Sequence, residues 1–237
     1  MKRPSLTLVP KPRIIKRDRS LILALDLLLD RSKEVVEKTQ NIDEVGAYKI
    51  PAISGLEGWI NWVDTLRICT NKPLIYDGQK AGTDVPDTAE KFMESLSAAE
   101  FDAVILCPRT NDYATQEARI KAAQKQELGV IVGGEMTHIE NPAHYAEILD
   151  IFSDAVDLGV TDFVVPGNRP ESIKKIRERV LKEVKDPIFY APGFFSQGGD
   201  ITESAKVAGE RFHAIVGRGI YEADDIRKAT LDLASKL

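Results

Sequence analysis

The sequence is poor in cysteine and histidine and lacks long apolar runs. It holds two cysteines and three histidines in 237 residues. Cys69 and Cys107 provide neither a disulfide framework nor the spacing of a zinc site, so we expect buried free thiols and a reducing, cytoplasmic location. No apolar run reaches the roughly 18–20 residues that a membrane helix needs, and no secretion signal is recognisable. These absences argue against a membrane-spanning or secreted protein.

Well-known catalytic motifs are missing as well. The sequence has no GxxxxGK[ST] phosphate loop, no GxSxG nucleophile elbow, no HExxH zinc motif and no CxxC pair. His138, His144 and His213 do not share the spacing of metal ligands, so we expect no metal site.

Positive charge is scarce except at the N-terminus. The net charge is −5, but residues 1–19 hold seven basic side chains and one acid, so the remainder carries −11. We therefore expect no binding to nucleic acid, and a local site for any anionic ligand. The basic arm at 1–19 is interpreted as a solvated extension or as a strap over the base of the domain at 20–237.

What the sequence does contain is a regular alternation of short apolar runs with longer amphipathic ones. One amphipathic run, Gly55–Ile68, has apolar residues at helical spacing: Leu56, Ile60, Val63 and Leu66. The eight apolar runs are Leu21–Leu27, Gly46–Ala52, Pro73–Tyr76, Ala103–Cys107, Val130–Gly133, Asp162–Pro166, Ile188–Ala191 and His213–Gly217. Eight βα units in about 215 residues predict a single-domain (β/α)₈ TIM barrel with a parallel sheet. An open doubly wound sheet is the alternative, but it usually begins with a glycine-rich turn, which is absent here.

Polar side chains follow most of the predicted strands. In such a barrel the carboxyl ends of the strands carry function. The strand ends offer Asp26, Lys49, Asp77 with Lys80 and Asp84, Arg109, Glu135 with Thr137 and His138, Asn168 with Arg169, Gln197, and Arg218. The alternative reading is a set of ordinary solvated loop residues.

Two lysines and three aspartates stand out among them. Lys49 lies in an apolar strand, where an ammonium needs a carboxylate partner. Asp77, Lys80 and Asp84 alternate in charge, and each carboxylate would keep the lysine protonated. An ammonium held in this way can donate a proton but cannot form a Schiff base.

Glycine-rich turns follow the last two predicted strands. Gln197 precedes a glycine pair, and Arg218 lies between Gly217 and Gly219. Late loops of barrels commonly bind phosphate through backbone N–H groups and arginine, so these turns predict a phosphate site.

These segments resemble the orotidine 5′-monophosphate decarboxylase family over nearly the whole chain after residue 20. The resemblance rests on segments in family order, including Leu23–Asp26, Tyr48–Ile50, Asp77–Thr88, Glu135–His138, Val164–Glu171, Ala191–Asp200 and Ile215–Tyr221. It implies a cofactor-free decarboxylation of orotidine monophosphate (OMP) to uridine monophosphate (UMP), in a homodimer with active sites at the interface.

The resemblance also implies roles for individual residues. Asp26 would bind the ribose hydroxyls. Thr137 would contact the pyrimidine, and Pro192 would line the pocket for this base. Gln197, Gly217 and Arg218 would bind the phosphate. Lys49, Asp77 and Lys80 would come from one subunit, with Lys80 as proton donor. Asp84 and Thr88 would reach in from the neighbouring subunit.

The sequence departs from the family in one spacing and at Thr137, which stands where the family has a serine and keeps the hydroxyl. The usual pattern is Asp-x-Lys-x-x-Asp, whereas here two residues separate Asp77 from Lys80 and three separate Lys80 from Asp84. Since side chains alternate along a strand, Asp77 and Lys80 share a face only if a bulge or an early turn forms near Gly78.

Two other functions fit the same fold. One is a magnesium-dependent sugar-phosphate decarboxylase or synthase of the same barrel superfamily. The other is a non-catalytic protein that binds nucleotide phosphates.

Overall fold

Eight parallel strands form a closed barrel. The computed structural model describes residues 13–80, 85–107, 112–135, 137, 145–195 and 197–237. The strands are β1 Arg19–Ala24, β2 Val45–Pro51, β3 Leu74–Asp77, β4 Ala103–Leu106, β5 Gly129–Gly133, β6 Asp162–Val164, β7 Ile188–Ala191 and β8 Phe212–Val216. Each pairs with the next, and β8 pairs with β1. The predicted TIM barrel is confirmed, and β1 begins one residue before the boundary expected for the domain.

Helices alternate with the strands, as the βα rhythm predicts. They are α1 Leu29–Thr39, α2 Trp59–Arg67, α3 Ala89–Ala98, α4 Tyr113–Lys125, α5 Tyr145–Asp157, α6 Pro170–Val180, α7 Ile201–Ala208, α8 Arg218–Tyr221 and α9 Ile226–Ala234. Short 3₁₀ segments cover Ala52–Glu57, Gly78–Lys80 and Pro86–Thr88. Within the described ranges, no helix combines the length and the apolarity needed to cross a membrane.

The helix expected over Gly55–Ile68 is divided, and the burial expected for its apolar face is wrong at two of the four positions. Gly58, with φ +90°, separates the 3₁₀ segment from α2. Val63 and Leu66 are buried as expected, whereas Leu56 is 87% and Ile60 64% exposed. The break at Gly58 places Leu56 outside α2, so the helical period does not extend to it. Within α2 the buried residues are Trp62, Val63 and Leu66, and Ile60 in the first turn lies outside that buried face.

Alternate strand residues face the barrel interior. Ile22, Ala47, Ile75, Ile131 and Ile215 belong to one buried cluster inside the barrel, while their sequence neighbours pack against the helices. Lys49 follows Ala47 by two residues in β2, and Asp77 follows Ile75 by two residues in β3. The period of two therefore places both side chains inside the barrel at its carboxyl end.

The amino end of the barrel is closed by the chain that precedes β1. Ile15 is buried in the interior cluster, and Ile14 packs against it. A Cβ on Gly129 at the start of β5 would lie 2.5 Å from Ile14, so the fit there is close. The part of the basic arm described here, from residue 13 onward, thus lies over the barrel base.

Polar groups line the interior just above this closure. Ser20 Oγ lies 2.8 Å from Nδ1 of His213, and Tyr190 donates its hydroxyl to Asp162 over 2.7 Å. The rings of Tyr190 and His213 pack with centroids 4.9 Å apart. These four residues satisfy one another in pairs at the end of the barrel opposite to Lys49.

The cysteines differ from expectation in burial. Cys69 and Cys107 are both free, as predicted, but each is partly exposed. Cys69 lies just after the end of α2, and Cys107 lies just after the end of β4. Both positions are at the ends of secondary-structure elements, where side chains are partly exposed to solvent.

Candidate active site

A buried lysine lies between two aspartates at the carboxyl ends of the first three strands. Lys49 Nζ donates a hydrogen bond to Asp77 Oδ2 and lies 3.5 Å from Asp26 Oδ1. The side chains of Lys49 and Asp77 are only 8% and 6% exposed to solvent, whereas that of Asp26 is 38% exposed. The carboxylate partners that the sequence context of Lys49 requires are therefore present, and one of them reaches solvent.

The two carboxylates hold Lys49 in its charged form. Burial disfavours the ammonium and is the largest single influence on its pKa, but the charges and hydrogen bonds of Asp77 and Asp26 together outweigh burial. The pKa of Lys49 is accordingly raised above its ordinary value. A fixed cation thus lies in the interior, where water screens its charge poorly.

The chain turns immediately after Asp77, as the unusual spacing requires. The 3₁₀ segment Gly78–Lys80 follows β3 directly, and the backbone N–H of Gln79 donates to Asp77 Oδ1 over 3.1 Å. A Cβ on Gly78 would lie 2.5 Å from the carbonyl oxygen of Ile105, so the turn has room only for glycine there. The early turn is confirmed. The side chain of Lys80 and the whole of Asp84 lie outside the described residues.

The carboxyl end of the barrel opens into a cleft of about 250 Å³. Most of the predicted site residues line it: Asp26, Lys49, Asp77, Thr137, Pro192, Gln197, Gly217 and Arg218. Lys49 and Asp77 come from the carboxyl ends of β2 and β3, and the others come from the segments after β1, β5, β7 and β8, so residues far apart in sequence meet in one cavity. Its dimensions suit a small organic ligand rather than a polymer.

The segments after β7 and β8 add Gln197 and the turn Gly217–Arg218 to the cleft lining. Gly193, at φ +109°, brings the loop after β7 close to its neighbours, since a Cβ there would lie 3.0 Å from Thr137 Cγ2 and 3.2 Å from Gln197 Oε1. An amide and a guanidinium thus line the same cleft as Lys49. Both groups donate hydrogen bonds that suit a phosphate.

A buried ion pair supports the loops after β5 and β6. Arg169 Nη1 lies 3.1 Å from Glu135 Oε1, and the Glu135 side chain is 1% exposed. Burial raises the pKa of Glu135, and the charge of Arg169 opposes that rise. Asn168 donates its side-chain N–H to the carbonyl oxygen of Thr137 over 3.1 Å. These contacts hold Thr137 at the edge of the cleft.

Thr88 does not line the described part of this cleft. It is exposed at the end of the segment Pro86–Thr88, where its hydroxyl donates to the carbonyl oxygen of Val85 over 2.9 Å. The predicted role of Thr88 in a neighbouring subunit's site is compatible with this position.

Among the polar residues that line the cleft, sequence reasoning missed Gln79 and Tyr221. Gln79 lies within the Asp77–Lys80 spacing, but only the early turn directs it to the cleft. Tyr221 lies three residues after Arg218 in α8, and this helical spacing was the available signal. Burial, followed by the negative charge of Asp26, raises the pKa of Tyr221, so its hydroxyl stays protonated at neutral pH.

Comparison with known proteins assigns the family. A profile described as the orotidine 5′-phosphate decarboxylase / HUMPS family matches residues 19–233. The orotidine 5′-phosphate decarboxylase of Methanococcus maripaludis strain S2 is 30% identical over 210 residues, which make up 88% of this chain and 93% of that protein. The enzyme of the same name from Methanocaldococcus jannaschii is 30% identical over 207 residues, covering 86% of this chain and 92% of that protein.

A solved structure agrees with these sequence relationships. The crystal structure of orotidine 5′-monophosphate decarboxylase from Methanocaldococcus jannaschii, complexed with the inhibitor BMP, matches with a TM-score of 0.79 at 27% identity. The match covers 92% of this chain and 98% of that chain. The chain therefore belongs to the orotidine 5′-phosphate decarboxylase / HUMPS family.

Proposed function

We propose that this protein decarboxylates OMP to UMP and CO₂ without a metal or an organic cofactor. The observation that carries the proposal is the buried cation Lys49, fixed between Asp26 and Asp77, in the same cleft as Gln197 and Arg218. The same cleft thus offers both a fixed charge for a reacting centre and donors for a phosphate.

The cleft gives each part of the nucleotide a partner. Arg218, Gln197 and the backbone at Gly217 take the phosphate, and the exposed carboxylate of Asp26 accepts hydrogen bonds from the ribose hydroxyls. Thr137 and Pro192 lie beside the pyrimidine. This placement leaves the carboxylate of the substrate near Asp77 and Lys49.

The reaction breaks the bond between C6 and the carboxylate carbon, and its electron pair stays on C6. CO₂ leaves, and a proton from the Lys80 ammonium forms the new C6–H bond. No metal or Schiff base takes up the developing charge, so fixed cations must stabilise it. Lys49 supplies such a cation, because its pKa is raised and its position is fixed by two carboxylates.

We also propose that the active enzyme is a homodimer in which Asp84 and Thr88 reach the neighbouring site. The support is that Thr88 is exposed, and that Leu56, Ile60 and Val85 expose apolar surface after β2 and β3. Exposed apolar groups of this kind often mark protein interfaces.

The magnesium-dependent sugar-phosphate activity remains the second candidate, because the matching family profile also covers the HUMPS proteins. The decisive experiment measures OMP consumption by its change in ultraviolet absorbance, with EDTA and with added magnesium. We expect equal rates in both. Activity that requires magnesium, or no activity on OMP at any pH between about 6 and 9, would overturn the proposal.

A matched pair of variants tests the assigned roles. Lys80→Ala is expected to lower turnover by about 10²–10⁴-fold, the range for loss of a general acid, while UMP still binds through Arg218. Arg218→Ala is expected to weaken UMP binding. Unchanged turnover in Lys80→Ala would contradict its role as the proton donor.

A further inference from the structure

Two consecutive phenylalanines after β7 pack against glycines of the two neighbouring turns. A Cβ on Gly167, after β6, would lie 2.5 Å from Cζ of Phe194. A Cβ on Gly219, in α8 after β8, would lie 2.5 Å from Cδ2 of Phe195. The loop after β7 is therefore held from both sides by ring contacts that tolerate no larger residue.

The backbone of Phe195 is in an unfavourable conformation. Its φ is +70°, in the left-handed region that bulky side chains rarely adopt. The residue is also 56% exposed, so burial of its ring in the core does not offset this cost. The N–H of Gly198 donates to the carbonyl oxygen of Phe195 over 3.1 Å, which fixes the turn. Strain of this kind persists where surrounding structure imposes it, and it concentrates at functional sites.

The contact between Phe195 and Gly219 joins the two elements that face the phosphate end of the cleft. Gln197 follows Phe195 by two residues, and Arg218 directly precedes Gly219. Gln197 and Arg218 both line the cleft, whereas Phe195 and Gly219 do not. The ring thus lies between the segments that carry the two predicted phosphate donors and outside the cleft lining.

We propose that Phe195 is a positioning residue whose ring, seated on Gly219, fixes the spacing of Gln197 and Arg218 for the substrate phosphate. The inference rests on the proposed function, because it assumes that these two residues bind phosphate. Donors fixed in advance lose less freedom when the ligand binds. The contact should therefore affect phosphate-bearing ligands and leave the bare nucleoside unaffected.

The first test is Phe195→Gly, measured by inhibition of OMP turnover with UMP and with uridine. Glycine accepts the φ of this position, so the fold is retained while the ring is lost. We expect the inhibition constant of UMP and the KM for OMP to rise about tenfold, with the inhibition constant of uridine unchanged. The matched control is Glu127→Gly, which removes another residue at positive φ, +59°, at the opposite end of the barrel before β5, and should change neither constant.

The second test uses the size relationship between the two partners. Gly219→Ala places a Cβ where the Phe195 ring lies and should raise the UMP inhibition constant by a similar factor. In the double variant Phe195→Gly, Gly219→Ala the space is vacated, so the effects should not multiply. Multiplying effects, or equal changes for UMP and uridine, would overturn the positioning role.

Arg218→Ala separates failure of this inference from failure of the proposed function. If Arg218→Ala weakens UMP inhibition and Phe195→Gly does not, Phe195 has no positioning role while the phosphate site stands. If neither variant changes UMP inhibition, the phosphate site itself is misplaced, and both the inference and the proposed function fail.

Discussion

The two ends of the barrel interior bury ionisable side chains in different ways. At the carboxyl end, Lys49 is paired with Asp77 and Asp26, and its pKa is raised. At the amino end, burial lowers the pKa of His213 to about 3 and raises that of Asp162. The first end keeps a buried charge, whereas the second favours neutral forms that pair through hydrogen bonds.

The difference indicates a division of labour. Holding a buried charge requires opposite charges fixed nearby, and such fixed charges stabilise a reaction in which charge develops. The hydrogen-bonded pairs at the amino end satisfy polar groups inside a core, and none of their residues lines the cleft. We therefore expect changes at the carboxyl end to alter turnover, and changes at the amino end to alter stability.

The largest expected effect is on turnover, from Lys49→Met. Methionine fills similar space but removes the cation, so the developing charge on C6 loses a fixed partner. We expect kcat/KM for OMP to fall by at least about 10²–10³-fold, the range for loss of one stabilising group. Steady-state kinetics in EDTA measures it. Turnover within a few-fold of wild type would contradict a catalytic role for the lysine.

The amino end should respond to acid through His213. Because its pKa in the folded state, about 3, lies below the ordinary 6.5, the unfolded chain binds more protons between these values. The free energy of unfolding therefore falls as pH falls through that window, by roughly 3 kcal/mol between pH 6.5 and 4. The raised pKa of Asp162 acts in the opposite sense, so the effect is read as the difference between wild type and His213→Asn.

Urea titrations at several pH values measure that difference. We expect His213→Asn to lose less stability on acidification than wild type and to keep its turnover at pH 7. Parallel pH profiles for the two proteins would show that His213 is not the group responsible.

A smaller effect is expected at the turn after β3. Gly78→Ala forces a Cβ against the carbonyl oxygen of Ile105, and overpacking of this kind costs about 1–3 kcal/mol. Since the turn also holds Asp77 through the N–H of Gln79, turnover should fall together with stability. Loss of stability with full turnover would separate the turn from the site.

The smallest effect is expected from Ser20→Ala. The variant removes the hydrogen bond to His213 Nδ1, which is worth about 1 kcal/mol. Thermal unfolding should show this loss, and kcat/KM for OMP should remain unchanged. A fall in turnover without loss of stability would break the proposed separation of the two ends.

The fold followed from the sequence because βα repetition leaves few closed arrangements for eight strands. The meeting of Asp26, Lys49 and Arg218 was likewise predictable, since parallel strands present their carboxyl ends on one side. The exposure of Leu56 and Ile60 was not, because Gly58 separates Leu56 from α2 and because Trp62, rather than Ile60, belongs to the buried face of that helix. The pairing of His213 with Ser20 joins β8 to β1, a contact that no local pattern records.

One measurement tests the central claim most directly: the fate of carboxyl-labelled OMP incubated with the metal-free protein in deuterated water. The account predicts one labelled CO₂ released for each OMP consumed, and UMP carrying one deuterium at C6. Release of no CO₂, or release only after magnesium is added, would contradict it.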